Sequence, residues 1–226
     1  MNLLNVDANA KTVKGQSKGY LTGVLYLAPV RLSGHQVCPR ASKGCASACL
    51  NTAGRGAFRR TQDARIRKTQ HLFSDRRGFL TELAADITRL QRRAEAKGLI
   101  PCVRLNGTSD LRWERYGIIQ AFPEIQFYDY TKIVNRGTRR PLPPNYHLTF
   151  SLAEDNDADA RKWLASGRNV AAVFDRLPEA YMGHPVIDGD ETDLRFLDPS
   201  PAVVGLKAKG KARQDRSGFV RRLTVV

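Results

Sequence analysis

Long hydrophobic runs are missing from this chain. No apolar stretch approaches the ~20 residues that span a bilayer, so no membrane association is expected. The opening "MNLLNVDANAKTVKGQSKGY" lacks the basic start and apolar stretch of a secretory leader. The expected location is therefore a cytoplasm. Internal repeats and low-complexity tracts are also missing, which excludes solenoids and arrays. Neither H-E-x-x-H nor G-x4-G-K-[ST] occurs, so the zinc-peptidase and Walker templates find no place here. Cysteine is scarce, at four in 226 residues. In a reducing compartment so few thiols do not build a disulfide framework.

What is present is concentrated. Three of the four cysteines, Cys38, Cys45 and Cys49, fall in one glycine-flanked stretch, "HQVCPRASKGCASACLNTAGRG" at 35–56. The net charge of +15 is uneven. Residues 1–100 carry 18 Lys+Arg against 6 Asp+Glu, whereas 151–200 are net acidic. Such a balance attracts polyanions or phosphate-bearing small molecules. Neither an aromatic-interleaved platform nor a recognition-helix motif singles out nucleic acid, and a solubilising surface is the simpler reading.

Hydrophobic content of 42% supports a core of one domain. Residues 1–19 read as a mobile lead-in, and 20–226 as a single barrel-like domain carrying the cysteine-rich loop. Phe79, Leu80, Leu83, Ala84, Ile87, Leu90 and Ala94 recur at steps of three and four, which predicts a helix over 75–97. Further helices are predicted near 61–72, 113–121 and 155–166. Strand-like runs lie at 20–29, 102–107, 125–131, 146–152, 169–175, 185–190 and 202–209. Strands alternating with helices imply βα units. The predicted class is α/β: a partial or distorted (β/α) TIM-like barrel with mainly parallel strands. An open doubly wound sheet is the alternative.

Nearly every strand runs into polar residues at its C-terminal end, where such folds build their sites. This nominates Asn106, Ser109, Asp110, Asp129, Lys132, Ser151, Asp188, Lys207 and Lys209 as substrate- or cofactor-binding candidates. Asp129, in step with Phe127, is expected to point into the barrel. The acids of "DGDETDLRF" (188–196) also read as a solvated turn with an Asp–Arg195 pair, and "GLKAKGKAR" (205–213) as a basic surface segment. His147 reads as a structural, hydrogen-bonded histidine.

The cysteine spacing is Cys-x6-Cys-x3-Cys. Thiolates favour iron–sulfur clusters, zinc or copper(I). A structural zinc site takes four ligands, usually in close pairs. Here only Cys45 and Cys49 are close, with His35 or Cys102 as candidate fourth ligands; Cys102 lies at the start of a strand, which is the wrong rim of a barrel. Three thiolates also suit a cubane cluster whose fourth iron stays open to a small molecule. Three unligated thiols complete the alternatives.

The stretches "VCPRASKGCASACLNTAGRG", "RLNGTSD", "FYDYTK", "NYHLTFS", "VIDGDETDLRFLDP" and "VGLKAKGKAR" together resemble the phage-encoded gene eighty-eight type, over about residues 20–219. The resemblance implies a viral protein acting in the infected bacterial host. It also favours an iron–sulfur cluster on Cys38, Cys45 and Cys49, [4Fe–4S] ahead of [3Fe–4S]. More distantly the chain is similar to radical S-adenosylmethionine enzymes. These carry three cysteines, usually spaced Cys-x3-Cys-x2-Cys, after the first strand of a partial barrel. That likeness implies a redox or radical enzyme with S-adenosylmethionine as a candidate ligand, and "NGTSD" (106–110) is the loose counterpart of its glycine-rich stretch. The alternative is a zinc-containing, basic nucleic-acid-binding protein without catalysis.

Overall fold

The computed structural model describes residues 2–7, 9–137 and 141–223. Its strands are β1 (Leu4–Val6), β2 (Tyr20–Leu25), β3 (Ile100–Arg104), β4 (Gln126–Thr131) and β5 (Tyr146–Ser151). They continue with β6 (Val170–Phe174), β7 (Ala180–Tyr181), β8 (His184–Asp188), β9 (Val203–Lys207) and β10 (Val220–Arg221). The helices are α1 (Ala10–Lys14), α2 (Lys43–Ser47), α3 (Arg59–Ser74), α4 (Arg76–Glu95) and α5 (Asp157–Ala165). Among the described residues no helix is long and apolar enough to cross a membrane.

The strands form one mostly parallel ten-stranded sheet in the order β1-β2-β3-β4-β5-β6-β9-β8-β7, with β10 also paired to β6. Of the described strands, only β1 and β7 run antiparallel to their neighbours. The fold is thus mixed α/β with an unclosed sheet. β5 pairs with β6 at Val170 and Ala171, and β10 pairs with it further on, at Val173 and Phe174. The two ends of the sheet communicate: Lys11 on α1 pairs with Asp190, just past β8, at 2.6 Å.

The two faces of the sheet differ chemically. One buries Leu21, Val103, Phe127, Leu148, Phe150 and Val170 in the main core. Helix α4 supplies Phe79, Leu83, Ile87, Leu90 and Ala94 to that core, as its periodicity predicts. Asp75 starts the helix, accepting a hydrogen bond from Gly78 N at 2.9 Å. Each buried Leu, Ile or Phe contributes about 1.5–3 kcal/mol over its exposed state. The opposite face carries Tyr20, Cys102 and Tyr128. The segment after β8 packs against it, with the Phe196 ring 5.2 Å from Tyr20 and 5.4 Å from Tyr128.

Two expectations fail here. Residues 2–7 and 9–19, expected in a mobile lead-in, are built into the domain; Met1 and Ala8 lie outside the described residues. Leu3 is buried, and Asp86 accepts from the backbone N–H groups of Leu3 and Leu4 at 2.6 and 2.9 Å. Lys68 donates to the Leu3 carbonyl at 2.6 Å. The signal was too short for periodicity to show, because only three residues form β1. The helix expected over 113–121 is a single 3-10 turn at Trp113–Arg115. The chain leaves the right-handed helical region at Gly117, whose φ is 75°, so the turn does not extend into a helix.

Candidate functional site

A cavity of about 360 Å³ opens beyond the C-terminal ends of β3, β4, β5, β6 and β9. Cys38, Cys45 and Cys49 all line it, although they arise from three local structures. Cys38 follows an irregular loop, where its sulfur accepts from Val30 N at 3.4 Å and contacts the Thr108 carbonyl at 3.6 Å. Cys45 sits on α2, whose first turn is capped by Ser42, with Cys45 N donating to Ser42 Oγ at 3.1 Å. Cys49 precedes the 3-10 turn Leu50–Thr52.

Glu154, just after β5, fixes α2 in place. Its carboxylate accepts from Ser42 Oγ and from Gly44 N, both at 2.6 Å. Gly44 has no room for a side chain. A Cβ there would lie 2.1 Å from Ser217 Oγ and 2.8 Å from Phe219 Cβ. Across the cavity, Gly107 lies equally close to β2, where a Cβ would meet the Leu25 carbonyl at 2.8 Å.

Burial pushes the Cys38 thiol up to about 12, with further contributions from Cys49 and Cys45. Cys49 is raised for the same reasons, burial first and Cys45 after it. The three sulfurs therefore feel one another. Both raised thiols favour the protonated form, whereas metal ligation requires thiolates. Among the described residues no group of three or more His, Cys, Asp or Glu side chains is placed to hold a metal ion.

Most of the nominated residues gather here. Asn106, Ser109, Asp110, Lys132, Ser151, Lys207 and Lys209 line the same cavity as the cysteines. Their roles differ. Asn106 is spent on bracing its own loop: its Oδ1 accepts from Ser109, Leu111 N and Trp113. Asp110 accepts from Thr131 at 2.8 Å, Lys132 N at 2.8 Å and Arg136 at 3.1 Å, while its own N–H donates to the Val37 carbonyl. The "NGTSD" loop is thus tied to the residue before Cys38. Lys132 donates to Ser151 Oγ at 2.8 Å and has no carboxylate partner among the described residues. Lys209 pairs with Asp190 at 2.8 Å, and Lys207 with Asp188 at 3.5 Å. Asp188 itself does not line the cavity.

Asp129 is the clear correction. It is in step with Phe127, as expected, but that is the helix-covered face, so Asp129 lies outside the cavity and fully buried. There it accepts from Asn106 N at 2.6 Å and Tyr146 OH at 2.8 Å. The acidic turn is also corrected. Asp193 is buried and pairs with Arg104 at 2.8 Å, while Arg195 pairs with Asp198 at 3.1 Å. His35 stacks on Phe73, with ring centres 4.2 Å apart, and does not line the cavity. Cys102 is buried against Thr22 Oγ at 3.2 Å and stays away from the trio's cavity.

A family model described as gene product 88 matches residues 2–223. The chain belongs to this family. No curated protein and no solved structure matches it.

Three charged cavity residues of this gene product 88 chain escape a reading of strand ends, Lys11, Arg104 and Asp193, whereas Asp190, at the end of the 185–190 run, is reached by it. Asp190 receives Lys11 and Lys209. Burial would raise its carboxyl, but hydrogen bonds from the two lysines hold it down at about 2. Arg104 left a signal in the sequence, since a charge interrupts the apolar run "CVRL". The stretch "GQSKG" at 15–19 spells G-x-S-x-G, but Ser17 bonds the Lys14 carbonyl in an exposed turn that leads into a strand. A nucleophile elbow instead follows a strand and opens a helix.

Proposed function

We propose that this gene product 88 protein binds an iron–sulfur cluster through Cys38, Cys45 and Cys49, and meets a small molecule in the cavity beside it. The observation that carries the reading is the convergence of these three thiols, and not Cys102, on one cavity of about 360 Å³. The donor set is three soft sulfurs beside a cavity wall that carries Lys11, Arg104, Lys132, Lys207 and Lys209. A lone zinc would need its sulfurs about 2.3 Å from one point. A cluster offers separate irons and asks for no such convergence.

Bound there, the cluster supplies one-electron redox chemistry and an iron free of cysteine. The chain's own residues do the rest. Glu154 and Ser42 fix Cys45, and the Asn106–Asp110 loop fixes Cys38. Lys132 and Ser151 present an ammonium and a hydroxyl to the free volume. Arg104 lines the same cavity, held by Asp193. A ligand carrying both an anionic and a polar group suits such a wall, and S-adenosylmethionine is one candidate. The reading includes a partial (β/α) barrel, supported by the contact of Lys11 with Asp190 across the sheet's two ends. Action in the cytoplasm of the infected host belongs to the same proposal.

The test is anaerobic purification followed by quantitation of iron and acid-labile sulfide, with an absorption spectrum. A brown protein with broad absorption near ~400 nm and iron and sulfide in comparable amounts is the expected result. Colourless protein carrying zinc, or neither metal nor sulfide after reconstitution, would overturn it.

A further inference from the structure

Helix α3 buries two cations one turn apart, Arg65 and Lys68, at 8% and 6% exposure. Lys68 has clear partners in the Leu3 carbonyl and the Asn5 side chain. Arg65 does not. One Nη donates to Asn51 Oδ1 at 2.5 Å, and the guanidinium lies 4.8 Å from the centre of the Tyr26 ring. Its Nε has no hydrogen-bond partner, and no carboxylate pairs with it among the described residues. A guanidinium does not shed its proton in a protein. Burial therefore leaves a permanent charge that neither an amide nor a phenol ring neutralises. Buried charges persist where an opposite charge or a metal centre faces them.

The surroundings of Arg65 indicate where that anion lies. Asn51, which it grips, is two residues beyond Cys49. A Cβ on Gly56 would sit 3.3 Å from Arg65 Nη1, so the guanidinium lies directly under the loop from 50 to 56. Tyr26 and Cys49 are the ionisable groups that interact with it. Cys49 also interacts with Lys132, the cavity-lining lysine that has no ion pair among the described residues. Cys49 thus interacts with two cations, Arg65 under the loop and Lys132 on the cavity wall, neither of them in an ion pair among the described residues.

We infer that Arg65 is the counter-charge of the anionic group held through Cys49, a positioning residue that retains the cluster and sets its reduction potential without touching reacting atoms. The inference rests on reading the three cysteines as cluster ligands. Reduction adds negative charge to a cluster, and a buried cation behind one ligand favours that state.

The experiment compares reconstituted wild type with Arg65→Gln, Arg65→Lys and Asn51→Asp. Asn51→Asp keeps Arg65 in place but gives it a carboxylate, so it neutralises the charge with little change of shape. Thermal unfolding of the metal-free proteins reports whether each variant folds. In spectroelectrochemical titrations, Arg65→Gln and Asn51→Asp should shift to more negative midpoint potentials and bleach faster in air. Arg65→Lys should stay near wild type. Should Arg65→Gln fail to fold, Asn51→Asp decides alone. Loaded, folded variants with an unmoved potential would overturn the inference and leave the cluster reading intact. Loss of loading in Arg65→Lys as well as Arg65→Gln would also overturn it, because charge would then not be what matters. Wild type that takes up no iron or sulfide would remove both.

Discussion

Glu154 and Ser42 are joined by a hydrogen bond of 2.6 Å across 112 residues of chain, and through it β5 reaches the helix that carries Cys45. The same carboxylate holds Gly44 N. Two donors on one charged acceptor make a strong local tie.

Replacing Glu154 by Ala should cost about 1–3 kcal/mol of stability, and the loss should be local. Limited proteolysis should open the cysteine loop first, and cluster loading should fall while the sheet stays folded. Its pH dependence has a definite sign. Burial alone would raise the Glu154 carboxyl, but the bonds from Ser42 and Gly44 hold it below the usual range. A depressed folded-state value stabilises above the unfolded value and loses that contribution as pH falls through the folded value. Wild type should therefore loosen at this loop in acid, and Glu154→Ala should show no such step. A cysteine loop equally protected from protease in both proteins would refute the tie.

Cysteine substitutions should divide by face of the sheet. Ala at Cys38, Cys45 or Cys49 should abolish loading of iron and sulfide. Cys102→Ala should leave loading unchanged, because Cys102 is buried against Thr22, away from the cavity. Its cost should be an ordinary core loss of about 1 kcal/mol, read by urea unfolding. Equal loss of iron in all four variants would refute the three-ligand site.

Much of this architecture was legible before any coordinates. Strand runs such as "FYDYT" and "YHLTFS" are dense in β-branched and aromatic residues, and α4 has a five-residue apolar stripe. These long signals became β4, β5 and α4. What stayed hidden was short or set by tertiary contact. β10 has two residues and exists because β5 stops early along β6. The cysteine loop was legible by composition, but its clamp by Glu154 was not, since nothing local links residues so distant. Asp129 shows a different limit. Alternation pairs it correctly with Phe127, yet alternation alone does not say which face is the apolar core. Here the polar face carries the cavity, and Arg104 in an apolar run was the residue that marked it.

Asp129 also gives the sharpest pH test. Full burial pushes its carboxyl up to about 7, against hydrogen bonds from Tyr146 and Asn106 that act to lower it. An unfolded aspartate titrates near 3.9. Between those values the unfolded chain has released a proton that the folded one still holds. A raised folded-state value stabilises below the unfolded one, and that contribution is lost as pH rises through the folded one. The slope is at most about 1.4 kcal/mol per pH unit. Asp129→Asn should cost about 1–3 kcal/mol, because its amide turns an N–H toward a neighbouring donor. More tellingly, the unfolding free energy of wild type minus that of the variant should fall from about pH 4 to about pH 7 and then level off. A difference that is flat across that window would mean Asp129 is charged throughout, held by Tyr146, Asn106 and the nearby Arg136 as a buried anion rather than a protonated acid.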